Sequence, residues 1–190
     1  MLLNNLLVLF ALYLLGSIPF GLIVSILGWD IDLREVGSRN IGMSNVLRTL
    51  GVLPALMTLI GDLGKAWLGL TLAQGLLSHQ WLEIGAIVLV IGHCWSVFLA
   101  FKGGKGVATT GGVLLFFQPL SAILCALLWF VLRFSVFSSS MASFCALLLL
   151  LVLTVFTNND QLVLFLGLSF IVLIRHKENI TRILSGNENR

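Results

Sequence analysis

The segment Phe101-Lys102-Gly103-Gly104-Lys105-Gly106-Val107-Ala108-Thr109 sets two lysines among three glycines, just ahead of a long apolar run. Ammonium groups beside a glycine-rich backbone, with free N–H groups at a helix start, are the chemistry of an anion cradle. A helix is expected to begin near Val107. The segment is not a Walker A loop. Gly106 stands where Ser or Thr would meet magnesium, and Leu99 stands at the first glycine position. The plain alternative is a basic juxtamembrane loop that only sets topology. Gly92-His93 lies just upstream, where His93 reads as a site residue or as a hydrogen-bonded core histidine.

Two further clusters carry donors suited to phosphate oxygens. Gly37-Ser38-Arg39-Asn40-Ile41-Gly42-Met43-Ser44-Asn45-Val46-Leu47-Arg48 combines hydroxyls, amides and two guanidiniums, whose forked donors match phosphate. The bland reading is a solvated loop with Asn45 capping a helix. In Arg175-His176-Lys177-Glu178-Asn179-Ile180-Thr181-Arg182, His176 and Asn179 stand three apart and share a helix face. The other charges there also suit a solvated helix end. Ser138-Ser139-Ser140-Met141-Ala142-Ser143 offers hydroxyls that either cap a helix or touch substrate. Asp62 and Lys65, three apart inside an apolar stretch, read as a functional pair or a structural lock.

Several catalytic classes are excluded. GxSxG does not occur, so there is no nucleophile elbow. Three histidines without an HxxxH pair leave a metal site short of ligands. The residues five after each histidine are Ile84, Phe98 and Thr181, which excludes an HxxxxD acyltransferase. Cys94, Cys125 and Cys145 lie in apolar stretches, odd in number and without CxxC spacing, and read as small buried hydrophobes.

The elements that must position these groups are membrane helices. Of 190 residues, 58% are hydrophobic and only 10% are charged, and mean hydropathy is +1.07. A soluble chain carries about 25% charged residues. The net charge of +3 comes without a basic run, so no nucleic-acid partner is expected. A bilayer core of about 30 Å needs around 20 apolar residues per helix. Spans are expected over 6–27, 50–77, 81–101, 134–157 and 162–174. No Lys or Arg precedes the first, which argues against a cleaved signal peptide.

The uncharged run 106–132 decides the topology. If it crosses once, Arg34, Arg39, Arg48, Lys102 and Lys105 face one side, while Arg133, Arg175, Lys177, Arg182 and Arg190 face the other. If it enters and returns, all share one face, as the positive-inside bias favours. Gln118-Pro119 supplies the break. The expectation is an all-α polytopic membrane protein, one domain over 1–190. It has about seven transmembrane helices, two of them short, with the N-terminus outside and the C-terminus cytoplasmic. The outer turns, including Ser78-His79-Gln80 and Asn158-Asn159-Asp160, are poor in charge.

Taken together, these motifs resemble the PlsY family, bacterial membrane acyltransferases that use acyl phosphate and glycerol 3-phosphate. Residues 38–48 are similar to the family's SGNPGATNVLR, and the matches continue through Gly92-His93 to Thr109 and from Arg175 through Arg182. Asp62 and Lys65 look like the family's DxxK element. Arg39 stands in place of a glycine, Ile41 of a proline, Met43 of an alanine and Ser44 of a threonine, and Ser96 where many members have proline.

The resemblance implies acyl transfer from acyl phosphate to the 1-hydroxyl of sn-glycerol 3-phosphate, the first acylation of phospholipid synthesis. It implies no metal or other cofactor, a bacterial inner-membrane location with a cytoplasmic site, and a partner enzyme supplying acyl phosphate. Ser38, Arg48, Lys105, His176 and Asn179 become the expected catalytic residues. Asn40, Asn45, His93, Lys102, Gly103, Gly104, Gly106 and Ser140 are the expected substrate-binding residues. Lys102 to Gly106 would hold the glycerol phosphate, and Ser38, Asn45 and Arg48 the acyl phosphate. The alternative is a transporter for a small phosphorylated solute; a scaffold for lipid-synthesis partners would leave the glycine-lysine loop unexplained.

Overall fold

The computed structural model describes residues 1–135, 137–157 and 160–188, which form ten α-helices, one 3₁₀ turn and no strand. Asn158 and Asn159 of the expected outer turn, and Arg190 of the basic tally, lie outside the described residues. Helices α1 (Leu2–Ser17) and α2 (Phe20–Trp29) form one apolar stretch, broken at Ile18-Pro19. Proline cannot donate to the preceding turn, and its ring crowds the carbonyl behind it. The expected first span is therefore apolar throughout but not one helix.

A loop leads to the short α3 (Met43–Leu50), and Gly51 at φ 94° turns the chain into α4 (Val52–Ala73). Helix α5 (His79–Cys94) ends before a 3₁₀ turn, Val97–Leu99. Helices α6 (Val107–Phe117) and α7 (Pro119–Phe134) meet at Gln118, with Pro119 opening α7. Helices α8 (Ser139–Phe156), α9 (Leu162–Arg175) and the surface helix α10 (Lys177–Leu184) complete the chain. Four segments among the described residues are long and apolar enough to cross a bilayer: Leu2–Trp29, Val52–Ala73, His79–Leu99 and Ser139–Phe156. Helices α6, α7 and α9 are shorter, roughly 16–24 Å at 1.5 Å per residue.

The exposure pattern is inverted relative to a water-soluble bundle. Leu27 and Phe156 are 82% exposed, while Asp62, Lys65 and His93 are buried. Helix contacts rely on small residues, as packing in lipid does. A side chain at Gly16 would strike the Leu89 carbonyl, and one at Gly92 the Tyr13 carbonyl, so α1 and α5 meet backbone to backbone. Tyr13 Oη donates to the Trp95 carbonyl at 2.8 Å, and Ser96 Oγ to the Ser17 carbonyl at 2.6 Å. Gly112 lies equally close to the Leu63 carbonyl, drawing α6 against α4. These approaches gather the polar loops after α2, α5 and α9 at one end.

Candidate active site

A cavity of about 260 Å³ opens between the polar loops and the helices beneath them. Ser38, Asn40, Asn45, His93, Lys105, Gly106, Ser140 and His176 line one end. Leu63, Leu114, Cys125, Trp129, Leu147 and Leu150 continue it between α4, α6, α7 and α8 as an apolar slot.

The first loop is shaped by Asn45. Its Oδ1 accepts the Ser38 N–H at 2.9 Å, and its Nδ2 donates to the carbonyls of Asn40 at 2.9 Å and Val36 at 3.1 Å. The N-cap of α3 is Gly42, not Asn45, so the capping alternative does not hold. Asn45 is only 2% exposed, and its amide folds the loop that carries Ser38 and Asn40 onto the cavity wall. Arg39 takes φ 57°, the left-handed region that favours glycine. Arg48, exposed in the last turn of α3, is not part of the wall.

The glycine-lysine loop is held from behind. The N–H groups of Gly103 and Gly104 donate to the carbonyls of Cys94 at 3.2 Å and His93 at 3.0 Å. Their own carbonyls accept from Arg175, Nη2 to Gly103 at 2.9 Å and Nε to Gly104 at 3.0 Å. The expected cradle therefore does not use those two N–H groups. What faces the cavity is Lys105, Gly106 at φ 87° and the first turn of α6, whose leading N–H groups have no intrahelical acceptor. Lys102 is exposed and outside the wall.

Helices α9 and α10 bring the third cluster in. His176 Nδ1 lies 2.8 Å from the Val172 carbonyl, which can only accept, so Nδ1 carries the proton and Nε2 is bare. Burial drives the His176 pKa down to about 4, so the ring is neutral at physiological pH. Lys105 Nζ donates to Asn179 Oδ1 at 2.5 Å. Burial first, then the charge of Arg182, lowers the Lys105 ammonium to about 8.

Residues 6–186 match the sequence profile of the family described as glycerol-3-phosphate acyltransferase. The chain belongs to that family. A glycerol-3-phosphate acyltransferase of Alkaliphilus metalliredigens is 40% identical over 186 residues, 98% of this chain and 95% of the relative. One from Neisseria meningitidis is 40% identical over 94% of this chain and 92% of its own length. The crystal structure of PlsY, an integral membrane glycerol 3-phosphate acyltransferase, superposes in its glycerol 3-phosphate form with a TM-score of 0.90. That likeness comes at 33% identity, over 98% of this chain and 94% of the other. The lysophosphatidic acid form of PlsY matches equally, at 31% identity. The chain is thus an integral membrane member of the PlsY family.

In this family member the sequence-based reading missed four participants. Glu188 is foremost. Its Oε1 accepts from Ser140 Oγ and Asn179 Nδ2, both at 2.7 Å, and its Oε2 accepts from Arg182 Nε at 2.8 Å. Partial burial opposes ionisation, yet those hydrogen bonds outweigh it and hold the carboxyl below the usual glutamate range. A lone glutamate in a polar tail carries no local signal. Arg175 belonged to a recognised motif, but its grip on the glycine carbonyls did not follow from spacing. Thr110 lines the cavity, and its hydroxyl has no hydrogen-bond partner among the described residues. Asp62 was noticed only for its pairing with Lys65, but it also lines the cavity. The serine cluster divides its tasks: Ser138 caps α8 by accepting from Met141 N at 3.3 Å, while Ser140 faces the cavity.

Proposed function

We propose that the protein transfers a fatty acyl group from acyl phosphate to the 1-hydroxyl of sn-glycerol 3-phosphate, releasing lysophosphatidic acid and phosphate. One observation carries this reading. The cationic mouth formed by Lys105 and the start of α6 is continuous with an apolar slot between α4, α6, α7 and α8. A phosphate suits the first, a fatty tail the second, and the reacting carbonyl falls where they join.

Lys105 and the leading N–H groups of α6 hold the glycerol phosphate. Ser38 and Asn40 face the acyl phosphate on a loop that Asn45 keeps in shape. Neutral His176 orients the glycerol hydroxyl through Nε2. The hydroxyl oxygen bonds to the acyl carbon, the bond from that carbon to the phosphate oxygen breaks, and phosphate departs with the electron pair. The hydroxyl proton goes to a phosphate oxygen. An acyl phosphate is already an activated anhydride, so neither a metal nor a covalent enzyme intermediate is required. Arg48 and Lys102, exposed beyond the wall, act at longer range by drawing anionic substrates to the mouth.

The mouth is read as cytoplasmic, with seven crossings and the N-terminus outside, because this arrangement collects the basic residues on one face of a bacterial inner membrane. The donor is read as coming from a separate enzyme that makes acyl phosphate. The slot past Thr110 offers walls such as Leu114 and Leu150, which speaks against a transport path for a phosphorylated solute. The deciding experiment incubates purified protein with labelled glycerol 3-phosphate and either palmitoyl phosphate or palmitoyl-CoA. Lysophosphatidic acid from the phosphate donor alone is expected. No product from either donor, in a folded preparation, would turn the reading toward solute binding.

A further inference from the structure

An ion pair lies under the glycine-lysine loop, in the helix layer. Lys65 and Asp62 have side chains 1% and 3% exposed and meet at 2.8 Å. As a plain lock this is a poor choice, since apolar residues of similar volume often do as well. Its other contacts define a different task. Lys65 Nζ donates to the Ile18 carbonyl at 2.8 Å, at the break before Pro19, where that carbonyl also accepts the Phe20 N–H at 3.2 Å, and stands 3.0 Å from His93 Nδ1. An ammonium has three protons and no lone pair. With two directed at Asp62 and Ile18, the third meets His93 Nδ1, which must then accept.

The competing arrangement has His93 Nδ1–H donating to Asp62 Oδ1, but that separation is 3.4 Å, and the proton would face the ammonium. A neutral imidazole that accepts at Nδ1 carries its proton at Nε2. The Nε2 edge of the ring lies against Gly104, where a Cβ would overlap it, and His93 lines the cavity. Among the described residues no protein acceptor engages Nε2. His176 shows the opposite pattern across the same cavity, its Nδ1 proton being held by the Val172 carbonyl at 2.8 Å.

We propose that Lys65 is a positioning residue that fixes His93 as the Nε2–H tautomer, so that His93 donates to the glycerol 3-phosphate phosphate beside Gly104 and Lys105 while His176 accepts. This rests on the reading of the cavity as a glycerol 3-phosphate site. It explains why a buried charged pair occupies the helix layer directly behind a phosphate loop. The pair sets the direction of the hydrogen bond that the His93 ring offers to substrate.

The test has two independent arms. In protein labelled with ¹⁵N-histidine, the His93 resonances are assigned by their loss in His93→Gln. The expected spectrum has Nδ1 unprotonated and Nε2 protonated in His93, and the reverse in His176. A protonated Nδ1 in His93 overturns the proposal. In the kinetic arm, the paired change Asp62→Leu with Lys65→Met removes both charges together. It is expected to raise KM for glycerol 3-phosphate about tenfold, the worth of one charge-assisted hydrogen bond, while KM for acyl phosphate stays within about twofold. In a His93→Gln background, where an amide N–H needs no tautomer control, the paired change should add less than about twofold. Equal losses in both backgrounds would reduce the pair to a structural lock. If the paired variant does not fold, the spectrum alone decides. Wild-type protein with the expected tautomers but no turnover of glycerol 3-phosphate would instead sink the substrate assignment.

Discussion

Lys105 and Asn179, 74 positions apart, meet at 2.5 Å, and that bond ties the glycine-lysine loop to α10. Behind Asn179 stands Glu188, which accepts from Nδ2 of the same amide at 2.7 Å. The ammonium, the amide and the carboxylate therefore form one chain of hydrogen bonds, and Glu188 steadies the amide that holds the Lys105 cation at the cavity wall.

Lys105 should give kcat/KM for glycerol 3-phosphate an alkaline limb. Its ammonium titrates at about 8, so the cation is present below that pH and lost above it. kcat/KM reports the free enzyme and is expected to fall as pH rises through about 8. Lys105→Arg, charged throughout, should move this limb out of the measurable range even where overall activity is lower. A profile unchanged by that substitution would remove Lys105 from phosphate binding.

Replacing Glu188 with Ala leaves the donors of Ser140, Asn179 and Arg182 without their acceptor. A stability loss of about 2 kcal/mol is expected, together with lost activity. Glu188→Gln, which keeps an acceptor oxygen but not the charge, should lose less. Because the folded carboxyl titrates below its unfolded value, its contribution is present above about pH 4.3. It fades as pH falls through the lower folded value. Denaturation in detergent across this range checks the sign, and no difference between wild type and Glu188→Ala would discount the contact.

Arg39 sits at φ 57°, where an L side chain costs roughly 1–2 kcal/mol. Glycine removes that strain but adds unfolded-chain entropy of about 0.5–1 kcal/mol. Arg39→Gly should therefore stabilise the protein by about 0.5 kcal/mol, read as a higher denaturation midpoint. A lower midpoint would mean that the Arg39 side chain contributes more than its backbone strain costs.

Ala122, one turn into α7, lines the apolar slot near the α6–α7 turn, away from Lys105. Phenylalanine there shortens the space for a fatty tail. Ala122→Phe is expected to lower kcat/KM for palmitoyl phosphate about tenfold, while decanoyl phosphate stays within about threefold. Equal losses for both donors would place the tail elsewhere.

His176→Ala removes the Nε2 acceptor and should lower kcat by about two orders of magnitude, in the range of a lost positioning or proton-handling group. Near-normal turnover would take His176 out of the site. If kcat falls as expected, a solvent-isotope proton inventory comparing wild type with His176→Asn separates a base from an orienting group.

Much of this protein is local and was therefore legible. Apolar runs locate helices because a bilayer leaves unpaired backbone groups no water to bond, and Pro119 breaks a helix wherever the chain runs. Lys105, Gly106, Ser38 and Asn40 stand out by composition, and all four line the cavity. Pro19 carried an equally local signal, yet the apolar run around it concealed the break.

Direction and partnership were decided by the tertiary structure. Whether Lys65 serves Asp62 alone or also His93 depends on the close approach of α4 and α5 around the Ile18 carbonyl. The N–H groups of Gly103 and Gly104 are taken up by the end of α5, and Arg48 and Lys102 fall outside the wall although their spacing resembles that of ligands. Glu188 becomes part of the site only because α10 turns the tail back over Ser140 and Asn179. A residue's type and its neighbours in the chain determine what it can donate or accept. Which partner it meets depends on helix packing that brings together groups dozens of positions apart, and no local pattern carries that distance.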